Sequence, residues 1–276
     1  MKYTLSALVL VLFLLSCQKE VSNNIQTGPS SDSSAKKTTL LTWIKYNSDG
    51  DTGSAHFTYD ASNRLVLLEK FKKVKDYMGN YTRIIRDNSG VLIAFIQDVG
   101  TIDSLFSIVY HDTVTKHFTY MVQYNTASLS TIDSTVFTYS GSHIGSLIQY
   151  ETDSVTGKYQ PITKRVFTYD QNNNMLTDQW YSYNAYSNSF SPNAYTYSFN
   201  YDQKTSPLIL GDESTLLEIG SNGPNNAIKE QMEGGNPGDT NLITYQYNYN
   251  SDNRPKSDST IASPQGYKTI MEFIYQ

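Results

Sequence analysis

The residues able to do chemistry are few and scattered. His56, His111, His117 and His143 are the histidines that could bind a metal or carry a proton. No two of them stand at helical ligand spacing and none sits in a His-Glu-x-x-His phrase, so their pattern holds no metal by itself. Asn47-Ser48-Asp49-Gly50-Asp51 alternates oxygen ligands as a calcium loop does, but its sixth position lacks Gly and its twelfth is Thr58 rather than Glu. A polar hairpin turn accounts for it better. Asp60, Asp170 and Asp202 could be tried as the opposed carboxylates of glycoside hydrolysis. Each, however, follows a Tyr at the same place in a repeated phrase, which marks a turn cap. Neither a Gly-x-Ser-x-Gly elbow nor a phosphate-binding loop is present. Cys17 is the single cysteine, which leaves no disulfide framework, thiolate metal site or cysteine nucleophile. The remaining candidates are aromatic: Trp180, Tyr181, Tyr183 and Tyr186, with Phe190 close by. Exposed rings of this kind stack on sugars or grip a protein partner. The plainer account is that Tyr bodies pack along a sheet while their hydroxyls reach water. On these residues no enzymatic activity and no cofactor are expected.

The elements that carry these residues are strands. An aromatic-x-Tyr phrase followed by turn residues recurs at Phe57-Thr58-Tyr59-Asp60, Phe137-Thr138-Tyr139-Ser140, Phe167-Thr168-Tyr169-Asp170, Phe199-Asn200-Tyr201-Asp202 and Tyr247-Asn248-Tyr249-Asn250. Phe273-Ile274-Tyr275 closes the chain, and weaker copies end at Arg86 and Tyr110. Measured at the third residue, successive spacings are 27, 24, 29, 30, 32, 48 and 26, the mark of a repeat architecture. Tyr195, Tyr197, Phe199 and Tyr201 alternate with Thr196, Ser198 and Asn200, so period two puts aromatics on one face and small polar groups on the other. The same alternation sends Trp180 and Tyr181 to opposite sides. Asp60-Ala61-Ser62-Asn63-Arg64 then reads as a turn, with Asp capping it and Asn63 tolerating a left-handed backbone. Each unit is a β-hairpin, and the hairpins make an all-β antiparallel meander of roughly fourteen to sixteen strands. Expected is one large twisted sheet, open, sandwich-like or partly closed, over residues 39–276. One irregular insertion near 204–241, with Pro207, Pro224 and Pro237, is expected to cover an end or face of the sheet. Leu216-Leu217-Glu218-Ile219 inside it could form one or two helical turns.

The N-terminus gives an address. Lys2 is followed by an apolar run of nine residues, Ala7 to Leu15, and then Ser16-Cys17. One charge, a short apolar core and a small residue form a secretory signal, too short for a membrane-spanning helix of about 20 residues. Leu14-Leu15-Ser16-Cys17 resembles the bacterial lipobox. The resemblance implies a signal peptide over 1–16 and a lipid on Cys17, which would tether the protein to a membrane. Gln18-Lys19-Glu20 resembles the export signal of Bacteroidetes-type lipoproteins, which implies the outer membrane, on its cell-surface or periplasmic face. Residues 17–38 continue as a Ser-, Asn-, Thr- and Gly-rich flexible linker.

Composition excludes one class of partner. The chain has 26 acidic and 21 basic residues and a formal net charge of −5, without the basic face that nucleic acid requires. Tyr59-Asp60-Ala61-Ser62-Asn63-Arg64-Leu65 resembles the YD repeat of RHS-type proteins, Tyr-Asp-x-x-Gly-Arg-Leu, with Asn63 in place of Gly. Tyr201-Asp202-Gln203-Lys204-Thr205-Ser206-Pro207-Leu208 and the later Asn225-Asn226-Ala227-Ile228-Lys229-Glu230 are similar to phrases in uncharacterised Bacteroidetes lipoproteins with YD-like repeats. The resemblance implies a β-rich repeat sheet in an exported lipoprotein and carries over no activity. The expectation is a non-enzymatic binding or scaffolding role in the cell envelope, with a glycan, a peptide or an envelope protein as ligand. The alternative is a hydrolase whose carboxylate pair is assembled only in three dimensions.

Overall fold

A computed structural model describes residues 39–276 apart from 49–50, 73–79, 99–103, 127, 129, 154–156, 193, 218–222, 235–239 and 265. The expected signal peptide and linker, with Cys17, lie outside the described residues. In chain order the strands are β1 (Leu41–Ser48), β2 (Asp51–Tyr59), β3 (Leu65–Lys72), β4 (Asn80–Arg86), β5 (Leu92–Asp98) and β6 (Leu105–His111). There follow β7 (Phe118–Asn125), β8 (Thr131–Ser140), β9 (His143–Thr152), β10 (Tyr159–Tyr169), β11 (Met175–Asn184) and the short β12 (Ser189–Phe190). β13 (Tyr195–Thr205) leads into a five-residue helix, α1 (Glu213–Leu217). Then come β14 (Asn225–Glu233), β15 (Thr240–Tyr249), β16 (Pro255–Ser263) and β17 (Tyr267–Tyr275).

Every strand of the wall pairs antiparallel with the next, and the two-residue β12 stands aside while β11 pairs with β13. The last strand returns to the first: β17 pairs with β1 from Leu41 opposite Tyr275 to Ser48 opposite Thr269. Below them Leu40 N–H donates to Gln276 O at 3.1 Å and Gln276 N–H to Leu40 O at 2.9 Å. The sheet is therefore a closed barrel of sixteen strands. This corrects the expectation of an open, sandwich-like or partly closed sheet. Closure leaves no unpaired edge along the wall, which removes the template for aggregation that an open meander would present.

Alternation then has one meaning throughout. Phe57, Tyr59, Phe167, Tyr169, Phe199 and Tyr201 point into the barrel, and the small polar residues between them point out. Phe57, Phe95, Phe137, Phe167 and Phe273 are buried with Leu65, Leu68, Leu92 and Leu147 in a continuous core. The repeated Tyr does more than fill space. Its hydroxyl donates to the first turns of the neighbouring strand: Tyr59 to Leu41 O at 2.8 Å, Tyr169 to Ile144 O at 2.9 Å, Tyr201 to Met175 O at 2.7 Å and Tyr275 to Pro255 O at 2.8 Å. Tyr139 takes the same position and accepts from Phe118 N–H at 3.1 Å. These hydroxyls thus bind the backbone of the neighbouring strand.

Four of the turns between strands share one geometry. Asp60 Oδ1 accepts from Ser62 and Arg64 N–H, Asp87 Oδ1 from Ser89 and Val91, Asp170 Oδ1 from Asn172 and Asn174, and Asn250 Oδ1 from Asp252 and Arg254. The fourth residue of each turn has a left-handed backbone: Asn63 at φ 62°, Gly90 at 91°, Asn173 at 66° and Asn253 at 59°. Gly90 meets the same backbone demand that Asn meets in the other three turns, and the Arg64 guanidinium of the preceding turn lies close over it.

These turns crowd one end of the barrel, and the insertion closes that end. Leu208, Leu216 and Leu217 join the hydrophobic core from α1 and the segment before it. Arg86 of β4 holds α1 by a bidentate ion pair to Glu213, at 2.6 and 2.7 Å, while also donating to Leu65 O and Gly90 O. On the other side Asp212 accepts from Ile144 N–H at 3.4 Å and lies 3.6 Å from His143. The plug is thus the first part of the insertion expected near 204–241, whereas residues 225–233 of that stretch form β14, a regular strand of the wall.

Candidate functional site in the barrel lumen

The four aromatic residues singled out in the sequence do not form one surface. Trp180 points into the lumen, where its Nε1–H donates to Asp178 Oδ2 at 2.7 Å and the Arg165 guanidinium lies 4.2 Å from its ring. Arg165 and Asp178 close that triangle with hydrogen bonds of 3.2 and 2.6 Å. Tyr181 and Tyr183 lie on the outer side of β11. Tyr181 donates to Gln179 Oε1 at 3.3 Å, and Tyr183 donates to Asn188 Oδ1 and packs edge-on against Phe190 at 5.4 Å. Tyr186 stands fully exposed at the tip of the β11–β12 hairpin. The indole and guanidinium of the interior group are already committed to each other, which makes Trp180 a bracing residue of the wall.

Three of the histidines and the turn acids are equally committed, while His143 keeps a buried Nε2 with no hydrogen-bond partner among the described residues. His56 stacks on Trp43 at 4.2 Å and pairs with Glu69, His111 bonds backbone carbonyls, and His117 stacks on Tyr139 at 3.9 Å. Asp60 and Asp170 cap turns, whereas Asp202 caps Lys204 N–H and anchors the returning Asn226.

A site appears where no motif pointed. Inside the barrel, above the plug, lies a cavity of about 370 Å³. Its floor is Ser206-Pro207-Leu208 of the insertion, and its walls come from β1 to β3 and β13 to β17. The rings of Phe57, Phe199, Tyr201, Tyr245, Tyr247 and Phe273 line it. Two carboxylates share the same wall, Glu230 of β14 and Asp258 of β16. Burial raises the pKa of Glu230, against which the Tyr245 hydroxyl, donating at 3.1 Å, acts in the opposite direction. Asp258 is 3% exposed, and burial pushes it up to about 6 although the Thr260 hydroxyl donates to it. Asn226, 2% exposed, also lines the cavity. Its Nδ2 donates to Asp202 and to Lys204 O, while its Oδ1 is buried with no hydrogen-bond partner among the described residues.

Sequence reasoning missed Glu230 and Asp258 because both stand in polar stretches that read as solvated strand. The available signal was the row Tyr245-x-Tyr247-x-Tyr249: its aromatic face had to face something, and a polar residue paired in register on that face is a lumenal residue. Asp258 is opposite Tyr247.

The outer wall differs around the ring. Over β13 to β16 it carries Thr196, Ser198, Asn200, Lys229, Gln231, Gln246, Asn248, Ser257 and Ser259, with Ile228 and Ile261 exposed among them. Over β6 to β8 it carries Tyr110, Tyr120 and Val136, with the two tyrosine rings stacked at 4.1 Å.

By fold this is a closed antiparallel β-barrel with a plugged end. It is similar to the crystal structure of a porin-like protein from Bacteroides uniformis, at 10% identity over 86% of this chain and 96% of that one, with a TM-score of 0.55. A porin-like protein from Bacteroides vulgatus matches at 12% identity over 87% of this chain and 99% of that one, with a TM-score of 0.47. The TcdB2–TccC3 structure matches at 12% identity over 78% of this chain and 10% of that one, with a TM-score of 0.33. The first of these supports the barrel architecture. No protein-family model and no curated protein matches the sequence.

Proposed function

We propose that the protein is a non-enzymatic, lipid-anchored binding barrel of the outer membrane, and that its lumen holds the ligand. The observation that carries this reading is the cavity of about 370 Å³, walled by aromatic rings with a few polar groups converging on it and closed below by the plug. Small-molecule sites have that volume and that mixture of lining. The outer wall of β13 to β16 is mostly polar despite the exposed Ile228 and Ile261, which supports tethering by Cys17 over insertion, because a membrane-embedded barrel needs an apolar band all round, about 25 Å tall.

The hydrolase alternative gains one observation, the presence of Glu230 and Asp258 in a single cavity. Register counts against it. Glu230 is opposite Ile243 and Asp258 is opposite Tyr247, so two strand spacings and four residues separate them. That places their backbones on the order of 15 Å apart, whereas glycosidase carboxyls stand roughly 5–9.5 Å apart.

Two measurements test the proposal. A thermal-shift screen of the full chain against amines, carboxylic acids and neutral compounds should give hits that disappear in Ala55→Phe, which fills the lumen. Hits that survive this substitution would move the site off the lumen and end the reading. For the anchor, Cys17→Ser should release the protein from the membrane fraction and abolish incorporation of labelled palmitate; unchanged fractionation and labelling would contradict it.

A further inference from the structure

We propose that the lumenal cavity takes an organic cation, an ammonium group on an apolar body, drawn in by the two uncompensated carboxylates on its wall, Glu230 and Asp258. This rests on the lumen being the binding site and goes on to name what binds.

The barrel treats its buried acids in two ways. Asp178 is met by Arg165 and Glu213 by Arg86, each within 2.6 Å. Glu230 and Asp258 have no ion-pair partner among the described residues, although they face the same interior. Asp133 on β8 is also buried without a cation, its Oδ1 without a hydrogen-bond partner among the described residues, but it does not line this cavity. A buried carboxylate without a counter-charge is costly, and two on one cavity wall are a standing vacancy for positive charge. The neutral polar lining agrees in sign. Asn226 offers an unpaired acceptor, while the hydroxyls of Tyr201 and Tyr245 are already spent on Met175 O and Glu230. The rings then favour the same occupant, since the faces of Tyr and Phe attract cations within about 6 Å. Lys70, the basic residue on the lining, is exposed and makes no ion pair with either acid among the described residues. The volume admits a compound of one or two rings, or a short alkyl chain, and excludes a polymer.

The test compares three probes of one shape: phenethylamine, protonated at pH 7.5, neutral 2-phenylethanol and anionic 3-phenylpropionate. Binding to the full chain in detergent is followed by titration calorimetry for wild type, Glu230→Gln/Asp258→Asn and Ala55→Phe. Both acid replacements keep shape and remove buried charge, and a thermal melt checks that the double variant is folded. The amine should bind wild type and weaken by roughly tenfold or more in the double variant, as loss of charged hydrogen-bond partners implies. The alcohol should be unaffected by that change. Equal binding of amine and alcohol, unmoved by the double variant, would overturn the cation proposal and leave the lumen reading intact. Preference for the anion would do the same. Absence of amine binding to wild type would overturn the cation proposal, and the broader screen would then decide the lumen reading. Amine binding that persists in Ala55→Phe would defeat both.

Discussion

Asp60 and Asp258 carry the same side chain and behave oppositely. At the turn, the Arg64 backbone N–H, with help from Ser62 and the Arg64 side chain, holds Asp60 below the usual carboxylate range. In the lumen, burial pushes Asp258 up to about 6 from an ordinary 3.8. The sign of the linkage follows. Folded protein binds a proton at Asp258 more tightly than unfolded chain, so the contribution to stability is fully present below pH 3.8 and is lost as pH rises through about 6. Asp258→Asn removes that loss. It should stabilise the ligand-free protein at pH 7.5 by on the order of 2 kcal/mol, with no gain at pH 3.5, by urea denaturation at the two values. A gain of equal size at both would show that charge is not the reason. The sequence displayed the turn acids, because an Asp after a Tyr and before a left-handed Asn is a local pattern. Asp258 was illegible, because Ser257-Asp258-Ser259 reads the same whether its neighbours across the barrel are water or tyrosine rings.

Among the elements, the insertion is the one whose role depends on a distant partner. Its prolines and broken spacing announced an irregular segment; of the helical turn expected at Leu216-Leu217-Glu218-Ile219, the first two residues end α1, which begins earlier at Glu213, and the other two lie outside the described residues. Nothing local names Arg86 as its latch, 127 positions away. With the Arg86 side chain 9% and Glu213 20% exposed, the pair is largely desolvated. Glu213→Ala should cost about 3 kcal/mol by leaving Arg86 uncompensated, and should open residues 206–217 to protease before the wall unfolds. Cleavage that begins elsewhere, at wild-type rate in this segment, would show that the latch is not what seats the plug. The hairpin carrying Tyr183, Tyr186 and Phe190 shows the same rule in reverse: a dense aromatic phrase in the sequence divides between the lumen, the outer wall and a tip.

For the whole molecule the deciding contact joins the two ends of the wall. Lys45 of β1 is opposite Glu272 of β17, both on the outer side. Cysteines placed at these two positions should crosslink within the monomer under mild oxidation, seen as faster migration on a non-reducing gel. An open or sandwich-like sheet would leave them apart and give no intramolecular band. Closure also explains how so aromatic a chain stays folded without disulfides: the rings stand inward, where the core, the tyrosine hydroxyl bonds and the plug absorb them.

The sequence by itself determined the strands, their alternation, the turn chemistry and the repeat, because each depends on residues within about a hairpin of one another: a Tyr and its Asp, an Asn that accepts a left-handed backbone, a period of two. It also marked one irregular segment among the regular ones. Only the tertiary structure decided that the aromatic face is a lumen, that β1 meets β17, that the first part of the irregular segment is a plug, and that Glu230 and Asp258 share one cavity. Those facts join residues up to 236 positions apart, from Leu40 to Gln276. They follow from twist and stagger accumulated over every strand of the wall, a sum that no local phrase records.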